Sequence, residues 1–187
     1  LAVYEEMEMT KLAVVGMGSA SITNDLAIGL RVEVDLAEKI KTKYAEVGSK
    51  VDPREVFDIE WDDEMHNFKA GDIEMIVAAR LEEIFEKLAK ELKKMGQHSR
   101  LPGGIVLSGG GSEIKGIEEV ARDILKLPSK RAEVSKYETS TGDILGIEWS
   151  AAVGLMLFDD KSFNSSNRGR GLGLDQLFDR AKRILFR

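Results

Sequence analysis

An α/β fold is what this sequence predicts, and three stretches predict it. Ile105, Val106 and Leu107 form a short apolar run, the pattern of a strand buried on both faces of a parallel sheet. Gly109, Gly110 and Gly111 follow and lead into a helical stretch, the corner at which α/β proteins turn from strand to helix. Residues 70–95 carry Ile73, Ile76, Val77, Leu81, Ile84, Phe85, Leu88 and Leu92 at helical spacing, which predicts a long amphipathic helix.

The other elements follow in chain order. Residues 1–4 and 11–15 read as paired strands, residues 16–21 as a loop, and residues 22–30 as a short helix capped near Ser21 or Thr23. A second helix is expected over 34–45, and a strand pair over 56–61 and 66–68. After the glycines, Ser112 is the expected N-cap of a helix that runs to residue 127 and stops at Pro128, with Glu113 favourable at its positive end. Residues 131–135 read as an edge strand and 148–158 as an apolar helix with a small-residue stretch, Ser150–Gly154. The polar, glycine- and serine-rich residues 159–173 read as a linker, and helical periodicity resumes over 174–187. There is no internal repeat, and the chain opening directly on a strand at Leu1 predicts a fragment that lacks an N-terminal portion.

At 187 residues, 43% hydrophobic and 32% charged, the chain has room for one large domain or two small ones with a proper core. Zero cysteines exclude a disulfide frame and a thiolate metal site. His66 and His98 lie far apart without ligand spacing, so no metal site is predicted and both read as surface or packed side chains. Trp61 and Trp149 read as packing residues, and the acidic run 60–64 as a solvated hairpin face. No run reaches the roughly 20 apolar residues of a spanning helix, and there is no signal peptide. From Arg168 onward six basic residues outnumber two acidic ones, so the remaining 167 residues carry −10 of the overall −6. Such an acidic body disfavours nucleic acid, while the basic tail suits an anionic surface.

The glycine corner has two readings. Three missing Cβ atoms let the backbone reach left-handed dihedrals and let a nucleotide approach closely, and they equally serve a tight turn in an ordinary α/β protein. It is not a Walker loop, because no Lys-Ser or Lys-Thr follows. Gly16-Met17-Gly18-Ser19-Ala20-Ser21 imitates a dinucleotide fingerprint, but its sixth position is serine and two helices follow without a strand. In the tail, Leu174, Leu177, Phe178, Ala181, Ile184 and Leu185 fall within an arc of about 120°, flanked or opposed by Arg180, Lys182, Arg183 and Arg187. This pattern fits a helix lying in a membrane interface, and fits a terminal helix docked on the body as well.

Read together, these segments resemble the C-terminal half of the FtsA family of bacterial actin-like cell-division proteins. The glycine corner is similar to the adenosine motif of the actin and sugar-kinase superfamily. More specific are Ile22-Thr23-Asn24-Asp25-Leu26-Ala27-Ile28-Gly29-Leu30 and Ala37-Glu38-Lys39-Ile40-Lys41, and the likeness covers nearly all of the chain in order. The resemblance implies an actin-like (ribonuclease H-like) lobe with a sheet-bearing, nucleotide-facing subdomain at 1–46 and 101–158. It implies an inserted smaller α+β subdomain at 47–100 that receives the C-terminal peptide of FtsZ, and a C-terminal amphipathic helix at 174–187.

By the same resemblance, Gly109, Gly110, Gly111 and Ser112 lie against the adenosine of ATP, Glu38 and Lys41 point towards ribose and base, and Gly18 borders the phosphates. Without the family, Glu38 and Lys41 are a solvated i,i+3 ion pair. Mg ligands would come mainly from the missing N-terminal part. Arg80, with support from Lys87, Lys90 or Lys94, is expected to host the acidic FtsZ peptide, since such a peptide needs cations; a solubilising surface charge is the other reading. Leu174, Leu177, Phe178, Arg180, Lys182, Arg183, Ile184 and Leu185 would form the membrane foot. The implied activity is an ATP-binding scaffold at the division site on the cytoplasmic face of the membrane. It would polymerise or dimerise with itself, join FtsZ and other divisome proteins, and at most hydrolyse ATP slowly with no catalytic residue in this stretch. Alternatives are a PilM-like pilus-assembly ATP-binding protein, which would not need the tail, and an actin-superfamily ATPase or sugar kinase.

Overall fold

The computed structural model describes residues 1–6, 8–48, 50–96, 101–132, 146–152 and 154–155. The predicted linker and tail helix lie outside the described residues, as do His98 and most of the predicted edge strand. The chain divides into two compact units, one of Leu1–Leu107 with Gly111–Arg131, the other of Ser108–Gly110 with the residues from Ala132 onward.

The first unit is mixed α/β. Strands β1 (Ala2–Glu5) and β2 (Glu8–Leu12) make an antiparallel hairpin with a register irregularity between Val3 and Tyr4. Helices α1 (Ser19–Leu30) and α2 (Val34–Tyr44) follow. Strands β3 (Val56–Trp61) and β4 (Glu64–Lys69) pair antiparallel around Asp62 and Asp63, both at positive φ, and the acidic residues at this tip are exposed. Helix α3 (Ala70–Lys94) is 25 residues long. Strands β5 (Ile105–Leu107) and β6 (Ser129–Arg131) pair in parallel, with α4 (Ile117–Leu125) as the crossover that a parallel pair requires.

One apolar core holds these elements together. α1 contributes Ile22 and Leu26, α2 Leu36 and Ile40, α3 Ile73, Val77, Leu81, Phe85 and Leu92, and α4 Ala121 and Leu125, all at most 2% exposed. These are the i, i+3/i+4 positions expected of each helix, and α1 packs on both α2 and α3 while α3 packs on α4. Trp61 borders this core with Lys39 over its ring at 5.1 Å, and its indole N–H is buried with no partner among the described residues. His66 stacks on Phe68. Among the described residues no helix is long and apolar enough to cross a membrane.

Several local expectations are corrected. Helix α1 begins at Ser19, and its N-cap is Gly18 in an extended conformation with no side-chain cap, in place of Ser21 or Thr23. Thr23 instead turns its hydroxyl to other partners, described below. Ser112 does not cap a long helix: Gly110–Glu113 form one 3₁₀ turn, and α4 starts only at Ile117, after Gly116 at φ 83°. Ile114, Ile117 and Ala121 have helical spacing and are all buried, but the backbone breaks between the first two. α4 ends at Leu125 with Lys126 in the left-handed conformation, before Pro128 can act. Val106 is 54% exposed, so β5 is covered on one face among the described residues, and β6 pairs with it at 129–131.

In the second unit, Ile147–Trp149 form a 3₁₀ turn that leads into helical residues 150–152 and 154–155. Ser108 Oγ lies 2.9 Å from Ser150 Oγ, and Trp149 is 52% exposed.

Candidate functional site

The N-terminal turn of α1 and the middle of α2 bring four polar groups together. Lys41 donates to Thr23 Oγ1 at 2.8 Å, to Glu38 Oε2 at 2.6 Å and to the Ser19 carbonyl at 3.4 Å. Thr23, itself 4% exposed, donates to the same Glu38 oxygen at 2.5 Å. All three protons of the Lys41 ammonium are therefore engaged, and its side chain is 9% exposed against 49% for Glu38. The two residues do not point out side by side as the sequence suggests: Lys41 turns inward and holds Glu38, whose carboxylate stays half exposed. Burial pushes the Glu38 carboxyl up. The hydrogen bonds from Lys41 and Thr23, with the Lys41 charge, outweigh it and hold the group below the usual carboxylate range.

Gly111 adjoins this cluster. A Cβ built there would lie 3.1 Å from Ser19 Cβ, tighter than ordinary van der Waals contact, so the missing side chain lets the glycine turn close on the start of α1. Ser112 beside it is buried at 3% exposure. Gly18 has open space where a side chain would stand. Gly109, at φ 91°, and Gly110 group with the second unit, where a Cβ on Gly110 would sit 3.5 Å from Glu148 Cβ. A half-exposed carboxylate at the start of α1, beside a glycine turn, is an acceptor that hydroxyl donors such as those of a ribose can use.

A second polar cluster lies between α1 and α3. Arg80 forms a fork on Asp25, Nε to Oδ2 at 2.5 Å and Nη2 to Oδ1 at 2.8 Å, and its Nη1 reaches Glu83. Lys87 continues the line with Glu83 at 3.0 Å and Met17 Sδ at 2.6 Å. The hydrogen bond to Asp25 raises Arg80 further above its ordinary value, and that from Lys87 leads the effects that hold Glu83 below the carboxylate range. Arg80 is thus three-quarters covered and already paired, while Lys87 is 44% exposed. The tail residues from Leu174 to Leu185 lie outside the described residues.

Sequence reasoning missed Thr23, Ser19 and Asp25. Thr23 could have been flagged, because a hydroxyl on the buried face of an amphipathic helix needs a partner. Asp25 and Arg80 stand 55 residues apart and meet only through the α1–α3 packing.

These features define a mixed α/β protein with a carboxylate site at the meeting of two helices and a glycine turn. A family model described as cell division protein FtsA matches residues 1–154, and the chain belongs to that family. It is 28% identical over 179 residues to the cell division protein FtsA of Bacillus subtilis, covering 92% of this chain and 38% of that protein. It is 27% identical over 161 residues to the FtsA of Pseudomonas aeruginosa, covering 84% of this chain and 39% of the relative. The chain therefore spans under two-fifths of the length of the curated relatives it matches. Among solved structures it is similar to a non-polymerising MamK mutant bound to AMPPNP, at TM-score 0.48 and 20% identity over 60% of this chain and 39% of that one.

Proposed function

We propose that this chain is part of an actin-like, ATP-binding scaffold that polymerises and links FtsZ filaments to the inner face of the cytoplasmic membrane at the division site. The match to the FtsA family over residues 1–154 carries the proposal. Three features of the chain support it. Glu38, set by Lys41 and Thr23, is the acceptor for ATP's ribose, with the backbone around Gly111 and Ser112 beside it and Gly18 as a further contact. Bound ATP supplies the adenosine and phosphates that this half-site and the rest of the protein enclose, with Mg held mainly by groups elsewhere. The α3 face with Arg80 and Lys87 receives the acidic FtsZ peptide, whose carboxylates must compete with Asp25 and Glu83 for Arg80. The stripe over 174–185, with Arg180, Lys182 and Arg183 beside it, lies in the anionic interface.

One such helix grips weakly, since each basic residue near the surface adds only about 1 kcal/mol. Joining several protomers raises the effective concentration of the other feet and makes attachment firm without new contacts. That is the physical benefit of coupling a membrane foot to a polymerising body.

Co-sedimentation of FtsZ with anionic liposomes, carried by the full-length protein, tests this reading. Deleting residues 172–187 leaves both proteins in the supernatant, whereas Arg80→Glu lets the scaffold pellet without FtsZ. Undiminished sedimentation of FtsZ with either variant would refute the corresponding contact. For the nucleotide, Glu38→Ala in the full-length protein weakens ATP binding about ten-fold by titration calorimetry, the loss of a charged hydrogen bond. Unchanged affinity would leave the cluster a purely structural role.

A further inference from the structure

Helix α1 carries both polar clusters, on residues two apart. Thr23 faces α2 and supports Glu38 and Lys41; Asp25 faces α3 and holds Arg80. Two residues turn a helix by about 200°, so these side chains emerge on opposite sides of one rod. The rod is packed solid, with Ile22 and Leu26 almost fully buried, so it responds to a push on either side as a unit.

Beside the apolar packing, three further contacts between the α1 region and α3 run in antiparallel order. Gly29 lies so close to Ile76 that a Cβ would stand 2.6 Å from the Ile76 side chain. Asp25 pairs with Arg80, and Met17, just before the helix, meets Lys87. The first point is steric and the last is a thioether contact. The middle one is a two-bond fork on a carboxylate, the kind of contact that a ligand carboxylate can replace.

We propose that the Asp25–Arg80 fork couples the two faces: an acidic peptide that takes Arg80 from Asp25 loosens α1, withdraws Thr23 and Ser19 from Lys41, and weakens nucleotide binding at Glu38. By linkage, nucleotide weakens the peptide by the same factor. The proposal rests on the assignments of nucleotide to the Glu38 cluster and acidic peptide to the Arg80 face. It adds that the two ligands oppose each other through α1, although neither needs to touch Asp25.

The test measures ATP affinity of the full-length protein by calorimetry, with and without a saturating FtsZ C-terminal peptide, in the wild type, Asp25→Asn and Asp25→Glu. In the wild type the peptide lowers ATP affinity about five-fold, the lower end of ordinary coupling. Asp25→Asn without peptide already shows the lowered affinity, and peptide changes it no further. Asp25→Glu keeps a carboxylate for Arg80 and recovers at least part of the response. Equal ATP affinity with and without peptide in the wild type, or an undiminished response in Asp25→Asn, overturns the coupling while leaving both binding sites standing. Failure of ATP or peptide to bind the wild type at all removes the underlying assignment, and the coupling with it. Thermal unfolding of Asp25→Asn is the folding control, and Asp25→Glu carries the test if that variant is unfolded.

Discussion

Gly116→Ala destabilises the protein by about 3 kcal/mol, read as a fall in denaturation midpoint at unchanged slope. Gly116 sits at φ 83°, where an L-residue is strained, and the added methyl would run into the Val47 carbonyl. The strain of a left-handed residue and the cost of overpacking each amount to about 1–2 kcal/mol and fall on the same atom. Relief by shifting the backbone is expensive here. Val47 N donates to the Lys115 carbonyl at 3.0 Å, and Glu46 pairs with Lys115 in a parallel bridge. That bridge ties the end of α2 to the segment leaving the glycine turn, so the same substitution disturbs the positions of Lys41 and Ser112. Gly103→Ala is the control, because Gly103 has open space and no positive φ; an effect of Gly116→Ala no larger than the control's would show that the close approach to Val47 is not maintained in solution.

Thr23→Val is expected to cost about 2 kcal/mol at neutral pH. Valine keeps the shape of the buried side chain but removes the hydroxyl that donates to Glu38 and accepts from Lys41. A mostly covered ammonium then lacks an acceptor, and a desolvated partner left unsatisfied costs more than the bond was worth. The pH dependence distinguishes this from a packing effect. The Glu38 carboxyl is held below its ordinary value of 4.5 in the folded protein. Its contribution is therefore fully present above that value and is lost as pH falls through the lowered one. Losing the Thr23 bond moves the folded value back up, so the gap between wild type and Thr23→Val narrows as pH falls from neutral through the carboxylate range. A gap constant across that range in urea titrations would mean that the hydroxyl does nothing for the carboxylate.

Much of the architecture was legible in single residues. The apolar spacing from Ile73 to Leu92 located α3 within a residue of its observed ends, and the helix expected over 34–45 ends one residue earlier, at Tyr44. Periodicity reports burial, however, and not backbone continuity. Ile114 and Ile117 are both buried on the expected face, yet Gly116 breaks the backbone between them. Ser112 followed by Glu113 imitated an N-cap for the same reason, since cap chemistry and turn chemistry use the same small polar residues. The ion pair of Glu38 and Lys41 was legible, because the two lie one helical turn apart. Their inequality was not, because it depends on Thr23 and Ser19 arriving from another helix. The paired state of Arg80 was hidden too, since Asp25 comes to it only through tertiary packing.

The two tryptophans fall one to each compact unit. Trp61 lies beside the apolar core under the Lys39 ammonium, whereas Trp149 is half open to water. The molecule thus contains a native pair of fluorophores, one emitting from a shielded setting and one from an aqueous setting. Quenching by iodide separates them without any label and follows each part of the chain on its own as ATP, peptide or lipid is added.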